Sequence, residues 1–104
     1  MKEISIATTK VNGQTYSVRA SGHAVERMEQ RGVDKTIVAG NILSLGEKRI
    51  AEMQKNNDEA IIIDKQNGVS VVIGFRPNVN QIRILTVIPK SNVFVKSNTK
   101  VITL

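Results

Sequence analysis

The chain of 104 residues is the size of one domain, and 15 Lys and Arg against 9 Asp and Glu give a formal charge of +6 and a pI near 10.0. Such a field attracts polyanions, phosphate backbones first, while the lack of cysteine excludes disulfide staples, Cys-ligated zinc and thiol chemistry. With Tyr16, Phe75 and Phe94 as the only aromatic residues, the sequence argues against modules that read RNA by stacking bases on aromatic platforms.

In chain order, residues 4–20 carry β-favouring segments on either side of Asn12-Gly13, a dipeptide that predicts a tight hairpin turn. Ser21 offers an N-cap to a first short helix with Ala24, Val25 and Met28 on its apolar side, and Gly32 supplies the stop. Asp34 caps a second helix whose stripe is Ile37, Val38, Ile42 and Leu45, ended by Gly46. From Lys48 onward the pattern reads as strands: residues 49–53 weakly, then 59–65, 69–75 and 81–88, with turns at 66–68 and 77–80 and a further edge strand within 93–104. The expected architecture is a single α+β domain over residues 1–104, an N-terminal hairpin and two short helices followed by a twisted antiparallel sheet of about four strands. Residues 1–10 lack the apolar run of a signal peptide, and apolar stretches such as 61–63 are far too short to span a bilayer, so no membrane anchor is expected.

The chemistry-bearing residues concentrate in the first helix. His23, Arg27 and Arg31 are four apart and so share one side of it, away from Val25 and Met28. An imidazole and two guanidiniums in a row repel one another by a few tenths of a kcal/mol per pair, roughly, unless an anion sits among them. RNA cleavage by the 2′-hydroxyl needs a base, an acid for the leaving oxygen and cations for the charge developing on the phosphoryl oxygens. His23 suits the base or the acid. Arg27, Arg31, and Arg76 or Arg83 suit the phosphate, with Lys48 as a further cation able to hold it. The plainer alternatives stay open: a histidine near a helix start often caps it, and arginines at this spacing often form a solvated face. Thr86, read in the 81–88 strand on a face with Ile82, Ile84 and Ile88, is either a β-branched packing residue or a hydroxyl that touches phosphate. One histidine and scattered carboxylates give no metal-ligand spacing, and no phosphate-binding glycine loop is present, so a reaction without metal or cofactor fits best.

The string Ser21-x-His23-Ala24-x-x-Arg27-Met28-x-x-Arg31-Gly32-Val33, a following helix, and a late Leu85-Thr86-Val87-Ile88-Pro89 resemble the small RelE-like domains of the BECR nuclease fold, named for barnase, EndoU, the tRNA-cleaving colicins and RelE. The nearest pattern is that of toxin modules at the C-termini of bacterial polymorphic and contact-dependent growth inhibition toxins, and of their stand-alone relatives. The resemblance implies a metal-independent endoribonuclease acting on tRNA or other RNA, neutralised by a cognate immunity or antitoxin protein, with His23, Arg27, Arg31 and Thr86 as its catalytic residues. It further implies delivery as part of a larger secreted or surface toxin that acts in the target-cell cytoplasm, or a cytoplasmic location if the domain stands alone. The rival reading is a non-catalytic basic module that binds RNA or a protein partner. An immunity protein for a basic nuclease is expected to be acidic, and a +6 chain has the wrong sign for that role.

Overall fold

Asn12 and Gly13 both adopt positive φ, 52° and 79°, which gives the two-residue turn a twist that matches the strands it joins. It connects β1 (Ile4–Val11) to β2 (Gln14–Ala20) as an antiparallel hairpin. In this computed structural model, residues 2–56, 58–93, 95 and 99–104 are described, apart from the side chain of Pro77. Helix α1 (Gly22–Arg31) starts where Ser21 accepts from the Ala24 N–H at 3.1 Å and stops at Gly32, whose φ of 65° lets its N–H turn back to the last carbonyls. Helix α2 (Lys35–Leu43) begins at Asp34, which accepts from the Thr36 N–H at 2.8 Å.

Two expectations fail between residues 44 and 56. Gly46 does not end α2, which stops at Leu43; with φ 82° it is the N-cap residue of a third helix, α3 (Glu47–Lys55). The weak strand expected at 49–53 is therefore helical. The segment Glu-Lys-Arg-Ile-Ala-Glu-Met-Gln-Lys consists almost wholly of strong helix formers, buries Ile50 and Met53 at a spacing of three, and places Glu47 and Lys55 at the dipole ends that suit their charges.

The remaining strands are β3 (Ala60–Asp64), β4 (Val69–Arg76), β5 (Gln81–Ile88) and β6 (Lys100–Thr103), with a 3-10 turn at Pro77–Val79. β6 supplies the edge strand expected within 93–104; residues 94 and 96–98 of that span lie outside the described residues. The architecture is α+β, but the sheet is mixed and has six strands in the order β1-β2-β5-β4-β3-β6 rather than about four antiparallel ones. The hairpin belongs to it, because β2 pairs in parallel with β5, and β3 pairs in parallel with β6. All three helices contribute to one core with the same sheet face: Ala24, Val38, Ile42 and Ile50 meet Val18, Ile62, Val71, Ile73, Ile82, Ile84 and Val87, all at 0% exposure. The sheet curls around them, since α2 touches both β1 and β3, which are separated by three other strands.

The opposite, back face carries the alternate residues. Ser70, fully buried there, donates from Oγ to the Lys90 carbonyl at 2.8 Å, so the chain leaving β5 starts its return toward β6 across this face. A register shift where Ile73 pairs Ile84 and Val72 pairs Thr86 leaves Leu85 unopposed on β5.

Candidate functional site

Helix α1 is fixed at both ends by its caps and along its length by Ala24, Val25 and Met28, all buried, so its outer side is rigidly presented. On that side the structure brings His23 and Arg27 together: Arg27 Nε donates to His23 Nε2 at 3.4 Å, and Arg27 Nη1 donates to Gln30 Oε1 at 3.3 Å. His23 is exposed and Arg27 half-buried. In this contact His23 Nε2 is the acceptor.

Arg31, one turn further on, is tied elsewhere. β2 pairs β5 only as far as Ala20↔Ile84, so the second half of β5 has no strand on that side and α1 packs there instead. Arg31 Nη1 donates to the Val87 carbonyl at 2.6 Å, linking the end of α1 to this half of the strand. Its guanidinium therefore holds a backbone acceptor, whatever else its remaining donors reach.

Thr86 does not share a face with Ile82 and Ile84. The register shift at Leu85 reverses the alternation, so that Val87 joins Ile84 in the core and Thr86, half-buried, points with Ile88 to the back face. Arg83 and Arg76 lie on that same back face. Both line a cleft of about 350 Å³ together with Asp58, Glu59, Gly74, Phe75 and Leu85; the Leu85 side chain covers Gly74, 3.5 Å from where a Cβ would stand. Lys48 is exposed on α3 and lines a different cleft of about 650 Å³ beside the hairpin, with Tyr16, Ala51 and Lys55 among its neighbours. The expected site residues thus fall into four places: His23 and Arg27 on the outer side of α1, Arg31 at its end against β5, Arg76, Arg83 and Thr86 on the back face, and Lys48 near the hairpin turn.

Two charged residues that the sequence reading passed over complete the back-face group. Arg19 stands beside Arg83 in the parallel β2–β5 pairing, and Glu3, just before β1, bridges them: Oε1 accepts from Arg19 Nε at 2.6 Å and Oε2 from Arg83 Nη2 at 3.1 Å. The signal for Arg19 was its place between Val18 and Ala20, which assigns it to the face away from the core. For Glu3 no local signal exists.

Among the described residues, no three His, Cys, Asp or Glu side chains gather where they could hold a metal ion, and no helix is long and apolar enough to cross a membrane. No family model matches the chain, and no curated protein or solved structure matches it.

Proposed function

We propose that the chain is a metal-independent endoribonuclease toxin domain that cleaves tRNA or other RNA and is neutralised by a cognate immunity or antitoxin protein. The observation that carries this reading is the His23–Arg27 pair, an imidazole with an accepting nitrogen beside a guanidinium on the outer side of a doubly capped helix. In the reaction, His23 Nε2 takes the proton of the 2′-hydroxyl as that oxygen attacks the adjacent phosphorus. Arg27 turns its donors from the imidazole to the phosphoryl oxygens as their charge grows. The P–O5′ bond breaks, a 2′,3′-cyclic phosphate forms, and a proton donor, the solvent or a second acid, completes the 5′-hydroxyl. The charge of +6 supplies the long-range attraction for the polyanion.

The alternative is a basic module that binds RNA or protein without cleaving. It draws on the same contacts, since a His–Arg–Gln chain along a helix is also what a solvated polar face looks like. His23→Ala separates the two readings. Wild type and variant are incubated with total bacterial RNA in EDTA and the products resolved on a gel. The nuclease reading expects discrete fragments from wild type, a loss of at least about 100-fold in rate for the variant, and RNA affinity within about twofold. Intact RNA with wild-type protein that nonetheless binds it transfers the conclusion to the binding module.

A further inference from the structure

Two arginines that lie side by side on neighbouring strands repel each other, and at this sheet position a single carboxylate offsets that repulsion. Arg19 and Arg83 are paired residues of β2 and β5, with side chains 32% and 17% exposed, and Glu3 spans them with one oxygen on each. The arrangement is the one two guanidiniums adopt around a phosphate, whose non-bridging oxygens each take a donor. Arg83 is not satisfied by it. Its Nε is buried without a hydrogen-bond partner among the described residues, and the Gln81 Oε1 one step along the same face is buried and unpartnered as well. The cleft of about 350 Å³ lined by Gly74, Arg76, Arg83 and Leu85 opens beside the pair, and Asp58 on its wall is itself bonded to Lys100 at 3.4 Å.

Glu3 is also held where it can leave. It precedes β1, which is an edge strand, and the β1–β2 register shifts between Ser5 and Ala7, so that beyond the irregularity only Ile4↔Ala20 and Ser5↔Arg19 pair. Lifting that end costs few ladder bonds.

We infer that Arg19 and Arg83 form a phosphate-binding site for the RNA backbone, and that the Glu3 carboxylate occupies it until a phosphate takes its place. The inference rests on the RNA reading for its ligand, but the site itself is an anion site and is tested as one. The Arg Nε–Hε resonances of the full chain are followed by NMR during titration with inorganic pyrophosphate, in wild type and in Glu3→Gln. Shifts of the Arg19 and Arg83 signals in wild type, saturating at a pyrophosphate concentration about 5–10-fold lower in Glu3→Gln, are expected from removal of a competing charged acceptor. Wild-type Arg19 and Arg83 signals that stay still under pyrophosphate overturn the site, and this arm holds even if the variant does not fold. Equal midpoints in a folded Glu3→Gln overturn the role given to Glu3 and leave its contact as a brace between strands.

A labelled RNA oligonucleotide then addresses the ligand. Glu3→Gln is expected to bind it more tightly than the charge-matched Glu52→Gln, and Arg83→Gln to bind it about 10-fold more weakly with the salt slope reduced by about 1. Unchanged RNA affinity and slope in Arg83→Gln, with wild type binding normally, sink the inference and spare the RNA reading. Pyrophosphate binding without RNA binding spares the anion site and sinks the RNA reading.

Discussion

The two faces of the sheet solve opposite problems with adjacent residues of the same strands. On the helix face, Val18, Ile82, Ile84, Ile73 and Val71 are wholly buried in a cluster that is mostly aliphatic. On the back face, the residues between them include Arg19, Arg83, Gly74 and Arg76, with a carboxylate from outside the strands and an open cleft. The first face specifies the fold chiefly by apolar packing. The second keeps charge half-buried and, among the described residues, partly unsatisfied, which stability does not require, and the proposed phosphate site lies there.

The sharpest way to break this comparison uses neighbours on β5. Ile84 points into the core and Leu85 to the cleft. Ile84→Ala is expected to lower unfolding stability by about 2–5 kcal/mol through lost burial and an unfilled cavity, and Leu85→Ala by about 1 kcal/mol or less, as at partly exposed sites, both read from urea midpoints at unchanged slope. Equal losses would mean that the back face is packed like the front.

The next effect separates the two arginines of α1. Arg31→Ala removes the bond to the Val87 carbonyl and with it the tie between α1 and the half of β5 that β2 does not reach, and the expected cost is about 1 kcal/mol. Arg27→Ala, which loses bonds to His23 and Gln30 of its own helix, is expected to change stability by less than about 0.5 kcal/mol while lowering RNA cleavage more than RNA affinity. Thermal unfolding of the two variants beside their single-turnover rates checks both statements. A stability loss confined to Arg27→Ala would reverse the roles.

What was legible in the sequence follows the reach of each interaction. The Asn12-Gly13 turn, the Ser21 and Asp34 caps and the Gly32 stop depend on residues within a few positions and are realised as read. Helix α3 was missed because nine residues with two buried side chains carry too little periodicity to outweigh a short strand, and the glycine before them reads equally well as an end or a beginning. The parallel pairing of β2 with β5 joins Ser17 to Gln81 and Ala20 to Ile84, segments far apart in the chain, through side-chain packing that no local pattern encodes. The Glu3 bridge to Arg83, 80 positions away, inherits that illegibility. Thr86 shows the same limit at short range: alternation assigned it to the core side of Ile84, and one unopposed residue at Leu85 moved it to the other. The contact between His23 and Arg27 was legible because four-residue spacing on a helix brings side chains together.

The smallest expected effect tests Asp64, a carboxylate buried on the apolar side. Asp64 ends β3 on the Ile62 face, is 5% exposed, and accepts from the Asn67 N–H at 3.1 Å and from Asn67 Nδ2 at 2.7 Å within the turn that leads into β4. The Asn67 side-chain bond is the main reason its carboxyl titrates below the usual 3.8; burial pushes the other way, and the backbone N–H groups of Asn67 and Gln66 add to the lowering. A carboxyl whose folded pKa is depressed contributes stability above its unfolded value and loses it as pH falls through the folded one. The contribution of Asp64 is therefore complete at neutral pH and fades below about pH 3.8. In Asn67→Ala the main cause is gone, so the variant is expected to be less stable than wild type at pH 7, with the gap narrowing as pH is lowered through that range. Urea midpoints of both proteins from pH 7 to pH 3 measure the gap directly. A gap independent of pH would assign Asn67 to turn geometry alone, and would remove Asp64 as a charged group that the helix face stabilises by hydrogen bonding rather than excluding.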